Sequence, residues 1–305
     1  MIVRKAKLED RDRIEKAYRA IFSHDDGGHS DFYFKEAFEL NNCFILVDEQ
    51  DELYSACQIH TKTLLLANKP LRASMIVGLF TLEKHRHQGY MKELLTKVID
   101  VLSHQELITL IQSYVPNIYQ AFGFEALYFR QHLILSPKDI PVLSPSGTTT
   151  LVEAQDLLKL YKTFSSRFDG YHRRDLSDFE KLKHEVASQN GKLMAYVSHE
   201  GLEGYACIFF EKDKVIVDEL VYLNAQAIMK ILNTVTSLNL PIELRLSDKE
   251  KLLKLFPKAK SESVQYTYAR LNSAKHFNEL YHANVRSIQE AFSLAEKPLW
   301  FRENQ

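Results

Sequence analysis

The chain has 305 residues, of which 45% are apolar and 26% charged, with a net charge of -1, a globular composition long enough for two ordinary domains. That balance leaves no broad basic field for nucleic acid. No apolar run is long enough to span a bilayer, and Met1–Lys5 passes into polar sequence without a signal-type apolar core, so the expectation is a cytoplasmic protein with neither nucleic-acid nor membrane partners.

Ile2 to Lys5 reads as a first strand, and Leu8 to Phe22 as a helix burying Ile14, Ala17, Tyr18, Ile21 and Phe22, with Glu9 and Asp10 in its first turn. The acidic, glycine-containing loop Ser23–Asp31 follows. Its Asp25 and Asp26, with Asp31, are candidate binding residues because they would attract a cationic amine. A second helix is expected through Phe32 to Leu40. Strands at Cys43–Val47 and Leu53–Leu66 come next, then a turn at Asn68-Lys69-Pro70.

Met75 to Leu102 is the most informative stretch. Met75, Ile76, Val77, Leu79, Phe80 and Leu82 form a nearly continuous apolar run, as in a strand buried on both faces. After Gly89 the period becomes helical, with Met91, Leu94, Leu95, Val98, Ile99 and Leu102 on one stripe. A helix opening at a glycine loop offers unpaired N–H groups and a positive dipole end to an anion, and His85, Arg86, His87 and Gln88 add donors. A strand at Leu107–Gln112 precedes Val115-Pro116-Asn117-Ile118-Tyr119-Gln120-Ala121-Phe122-Gly123-Phe124, and a last strand runs to Leu135.

Ser136 to Thr150, with Pro137, Pro141, Pro145 and Gly147, reads as a linker, beyond which the same order of elements recurs without recurring letters. The second copy passes from Glu219–Leu223 through Asn224 straight into its helix. It has no basic glycine loop, so it is expected to offer no such anion site. From Asn272 to Leu294 one further helix is expected, carrying Phe277, Leu280, Tyr281, Ile288 and Phe292. So many aromatics need a surface to cover, either between the domains or at a subunit contact in a homo-oligomer. Cys43, Cys57 and Cys207 lack paired or ligand spacing, and no histidine pair has the spacing of a zinc site, so no metal is expected.

Arg86-His87-Gln88-Gly89-Tyr90-Met91 resembles the Arg/Gln-x-x-Gly-x-Gly/Ala loop with which GNAT acetyltransferases hold the pyrophosphate of acetyl-CoA, Met91 standing where that family has a small residue. The segment from Val115 to Phe124 resembles the family's short helix whose tyrosine, here Tyr119, protonates the leaving thiolate. The order of elements as a whole resembles the Eis-like acetyltransferases, without their complete sterol-carrier-like third domain. The resemblance implies an α/β fold with a mixed sheet (α+β): a catalytic GNAT domain over 1–136, a linker over 137–150, a degenerate GNAT-like domain over 151–271 and a helical tail over 272–305. It implies acetyl-CoA as co-substrate, with Leu79, Phe80 and Thr81 offering backbone groups to the pantetheine, Arg86 to Met91 on the pyrophosphate, and Tyr119 as acid. The expected activity is N-acetyl transfer to a primary amine of a small cationic acceptor, with Glu83, His60 or the terminal carboxylate of Gln305 as base. The alternatives are an acyl-CoA-binding sensor or interaction protein without catalysis, and a tandem-GNAT transferase that uses aminoacyl-tRNA.

Overall fold

The computed structural model describes residues 1–22, 28–115 and 117–303. In chain order the elements are β1 (Ile2–Lys5), α1 (Arg11–Ile21), α2 (His29–Phe32) running into a π-helical turn at Tyr33–Ala37, β2 (Cys43–Val47), β3 (Leu53–Leu66), β4 (Lys69–Thr81), α3 (Tyr90–Ser103), β5 (Ile108–Gln112), α4 (Asn117–Gln120) and β6 (Glu125–Leu135). Then follow β7 (Thr148–Thr149), α5 (Ala154–Ser165), β8 (Tyr171–His172), α6 (Leu176–Ser188), β9 (Lys192–Ser198), β10 (Gly201–Phe210), β11 (Val215–Tyr222), α7 (Ala225–Asn233), β12 (Ile242–Ser247), β13 (Lys260–Leu271), α8 (Ala274–Tyr281) and α9 (Ile288–Phe292). They pack as two compact units, one built from residues 1–127, 265–294 and 303 onward, the other from 128–264 and 295–302.

In the first unit the sheet runs β1-β2-β3-β4-β5-β13, and β4–β5 is its parallel pair. Both faces are covered, which is why β2 is buried at every residue. Cys43, Ile45 and Val47 pack with Ile14, Ala17 and Tyr18 of α1, whereas Phe44 and Leu46 pack with Leu94, Leu95, Val98, Ile99 and Leu102 of α3. The hairpin before β4 turns at Ala67 and Asn68, both at positive φ, and Pro70 lies inside the strand opposite Leu65. The strand therefore begins well before the expected Met75.

The second unit repeats this plan as β6-β12-β11-β10-β9-β7, with β11–β12 parallel. Its core gathers Val215, Val217, Ile228, Ile231, Leu232, Ile242 and Leu244. In each sheet the strand flanking the parallel pair comes from the other half of the sequence. β13 completes the first sheet (Thr267↔Gln112 to Leu271↔Ile108) and β6 completes the second (Ser247↔Arg130 to Ile242↔Leu135).

Two expectations are corrected. The stretch 137–150 packs as part of the second unit: Ile140 is buried in its core, β7 pairs with β9, and Asn233 bonds both Leu143 N (3.2 Å) and Pro141 O (3.2 Å). Its prolines mark a fastened connection. The expected single helix over 272–294 is two, because His282 takes φ +53° and Asn278 bonds back to Val285 N (2.8 Å) and O (3.0 Å) before Ser287 caps α9. Both helices lie on the first unit, where Tyr281 Oη donates to Leu66 O and Gln289 to Ala126 O.

Candidate active site

The parallel pairing of β4 with β5 ends at Ile76↔Ile111, while β4 runs on to Thr81. The divergence starts at a bulge, since Ala56 and Gln58 of β3 face Phe80 and Val77, leaving Gly78 and Leu79 opposite Cys57 alone. Only glycine suits the bulge. Gly78 has φ +55°, and a Cβ there would meet Tyr18 Cε2 at 3.2 Å and the Tyr33 hydroxyl at 3.3 Å.

Leu82 N donates to Tyr54 O at 2.9 Å, so Phe80, in phase with Leu82, turns its peptide groups to β3. Its carbonyl also receives Ser55 Oγ (2.5 Å), and its ring is buried on the α1 face. Leu79 and Thr81, out of phase, turn their N–H and C=O groups to the open side of the split. Of the three expected strand residues, these two turn backbone groups to the split, although the Thr81 carbonyl already accepts from Arg86 Nε.

The loop from Leu82 to Gly89 then delivers the chain to α3. His87 (φ +62°) and Gly89 (φ +87°) both take left-handed backbone, and no side chain caps α3, so the first-turn N–H groups of Tyr90, Met91 and Lys92 face outward without a capping partner. Arg86 is exposed and touches Thr81 O (3.3 Å), and exposed Gln88 reaches Lys84 O (3.3 Å). His85 differs from its expected role as a donor in the loop. Its ring stacks on Tyr54 (3.7 Å) and meets Tyr90 edge-on (6.1 Å), with Nε2 3.5 Å from Glu52, which also pairs with Lys84. The histidine fastens the loop to β3. Tyr54 and Glu52 went unread in the sequence because nothing in their own spacing points to a loop 30 residues away.

The sheet's two faces carry different chemistry. On the α3 face, Tyr119 of α4 is half-buried against the core, edge-on to Phe124 (6.3 Å). Burial raises its phenol pKa, partly offset by a hydrogen bond with Ser113. The phenol is therefore held as a proton donor at neutral pH. On the α1 face, Gln58, His60 and Lys62 alternate along β3. Tyr33 Oη donates to Gln58 Oε1 (2.6 Å), and the His60 ring is 6.3 Å from Tyr33. Gln112, at the end of β5, shares this face, and Glu303 lies across it: Lys62 Nζ is 3.0 Å from Glu303 Oε2, and Gln112 Nε2 donates to Glu303 O (2.5 Å).

Of the other candidates, Glu83 is exposed on a 3-10 turn, and Asp31, largely exposed, pairs with Arg19 at 2.8 Å. Asp25, Asp26 and Gln305 lie outside the described residues. Among the described residues no cluster of side chains has the makings of a metal site, and no helix is long and apolar enough to cross a membrane.

The second unit keeps the split but not the loop. β11 pairs with β12 only from Val215↔Ile242 to Val217↔Leu244, bulges at Asp218 and continues to Tyr222. Asn224 then caps α7, its Oδ1 accepting from Ala227 N (2.9 Å). Within this unit Arg174 holds Glu219 through two bonds (2.8 and 2.7 Å), Tyr205 adds a third (2.6 Å), and Trp300 Nε1 donates to Glu250 (2.9 Å).

Residues 2–127 match the model of the acetyltransferase (GNAT) domain family. No curated protein matches the chain. Among solved structures, it resembles a probable N-acyltransferase from Enterococcus faecalis (TM-score 0.75, 14% identity, 89% of this chain and 72% of that one). It also resembles a GCN5-related N-acetyltransferase from Anabaena variabilis (0.75, 16%, 91% and 74%) and Eis1 from Mycobacterium abscessus (0.66, 14%, 91% and 75%). At these identities the structural likeness speaks for the fold.

Proposed function

We propose, from the premise that residues 2–127 form a GNAT acetyltransferase domain, that the protein transfers an acetyl group from acetyl-CoA to a primary amine of a small cationic acceptor. The observation that carries this reading is the conjunction of the β4–β5 split with an uncapped α3 at a left-handed glycine loop. The pantetheine amides would bond the strand edge at Leu79 and Thr81, as an added strand does, with Arg86 turning from Thr81 O toward the pyrophosphate. The pyrophosphate would lie on the loop from Arg86 to Met91, taking the outward N–H groups of α3. The acyl thioester then sits where the strands part.

The amine approaches from the α1 face, attacks the thioester carbonyl, and expels the thiolate, to which Tyr119 gives its proton from the α3 face. His60 or the terminal carboxylate of Gln305 takes the proton of the amine. His60 stands on the acceptor face, and Glu303 is fastened to that face. Exposed Glu83 is a weaker fit to that role. The aminoacyl-tRNA alternative loses support, because a pyrophosphate loop serves coenzyme A.

The test is calorimetric titration with acetyl-CoA followed by thiol release across a panel of polyamines and aminoglycosides. Binding with amine-dependent thiol release is expected. Absence of binding overturns the reading, and binding without release from any amine selects a sensor in place of an enzyme.

A further inference from the structure

The last β4–β5 pair is Ile76↔Ile111, so Gln112 is the first residue of β5 past the point where the strands part, across from Val77. Its side chain lies on the acceptor face, in register with the Tyr33–Gln58 hydrogen bond on β3. The amide has only one sensible orientation. Nε2 donates to Glu303 O (2.5 Å) and Thr267 Oγ1 (3.2 Å), and a flipped amide would set two carbonyl oxygens against each other. Oε1 is thereby fixed. It is buried and has no hydrogen-bond partner among the described residues. A buried acceptor left unpaired is costly, so a donor from outside the chain is the natural complement.

Resting on the transfer reading above, we propose that Gln112 is a substrate-binding residue whose Oε1 accepts an N–H of the incoming amine at the apex of the β4–β5 split. The acceptor class that fits is a primary amine, charged on arrival and neutral at attack, because either form keeps an N–H to donate. Glu303 has the supporting part. Its carboxylate pairs with the half-buried Lys62 while its carbonyl takes Gln112 Nε2, so Glu303 fixes which amide atom the substrate meets.

Steady-state kinetics on the full chain test this, with spermidine, or whichever panel amine turns over, as the probe. Gln112→Met removes the acceptor oxygen and is expected to raise the KM of the amine about tenfold or more, leaving the KM of acetyl-CoA unchanged. Gln112→Glu restores an oxygen and recovers most of that KM for a cationic amine, although it loses the bond to Glu303. Lys62→Met loosens Glu303 while keeping the Gln112 oxygen, and raises the same KM less than Gln112→Met does. If Gln112 only held Glu303, Gln112→Met and Lys62→Met would act alike and Gln112→Glu would rescue nothing; that pattern, or an unchanged amine KM in Gln112→Met, overturns the inference. Absence of turnover in the unmodified protein overturns the transfer reading instead. Circular dichroism of each variant confirms that it is folded before its kinetics are compared.

Discussion

Replacing Gly78 by alanine tests what holds the β4 bulge open. Two costs add at this position. An L-residue at φ +55° gives up about 1–2 kcal/mol. The new Cβ would also press on Tyr18 Cε2 (3.2 Å) and the Tyr33 hydroxyl (3.3 Å), so both rings must yield by a few tenths of an ångström. Tyr33 cannot do so freely, because its hydroxyl is committed to buried Gln58 at 2.6 Å, and weakening that bond costs roughly another 1 kcal/mol. The sum is about 2–3 kcal/mol. Gly89→Ala is the internal comparison: φ is +87° but nothing lies within 4 Å of the added Cβ, so only the backbone cost of about 1–2 kcal/mol applies. Urea unfolding of the two variants should therefore place Gly78→Ala below Gly89→Ala by roughly 1 kcal/mol. Both should bind acetyl-CoA more weakly, one through the strand edge and the other through the phosphate loop. Equal stabilities would refute the argument that the tyrosine platform, beyond backbone strain, requires glycine in the bulge.

Tyr119→Phe removes the proposed acid and should lower kcat about a hundredfold with little change in either KM; an unchanged kcat would remove Tyr119 from the mechanism. The high-pH fall in kcat should lie above the ordinary phenol value of about 10, since burial raises this pKa, and pH–rate profiles to the alkaline limit of folding would show it. Asp10 is fully buried between Arg4 (2.6 Å), Arg13 and Lys7 N (2.6 Å); burial pushes its carboxyl up, but these partners outweigh it and hold the pKa well below the carboxylate range. Its stabilisation is thus complete above about pH 4 and disappears as pH falls through the depressed folded value. Asp10→Asn should cost roughly 2–3 kcal/mol at pH 7, less than stranding a lone charge because Arg4 and Arg13 keep Asp51, and the gap to the unmodified protein should close in strong acid. Calorimetry should give one acetyl-CoA per chain, because the second split lacks the glycine loop and Asn224 caps its helix; a stoichiometry of two would contradict that.

The proposed cofactor side was legible in sequence because it is local. A strand, a loop and a helix within 28 residues carry the proposed phosphate site, and their periodicities change where the structure changes. Tyr119 was singled out through its resemblance to a family motif. The proposed acceptor side was not legible. Lys62, Gln112, Thr267 and Glu303 meet from four separate stretches, and none has a neighbour whose spacing marks it. Gln112 in particular reads as the polar end of an apolar strand. Pro70 misled for a physical reason: β4 there pairs with β3 through Leu65, and a proline is tolerated where no ladder N–H is required of it. The aromatic run after Asn272 was sound as a buried face, but the break at His282 needed the Asn278 staple, which only folding brings to Val285.

The strands exchanged between the two halves bear on how the chain is made. While the ribosome is still reading the second half, the first sheet is one strand short, since Gln112 waits for Thr267. β5 meanwhile carries an unpaired edge, the kind of surface that recruits other chains. A fragment stopped at residue 136 stays in that condition permanently, holding a strand it does not use and lacking the one it does. Such fragments should be recovered from the insoluble fraction, and a separately supplied second half should draw them back into solution. The gene is in this sense read as one cooperative sentence, whose opening clause is not completed until near its end.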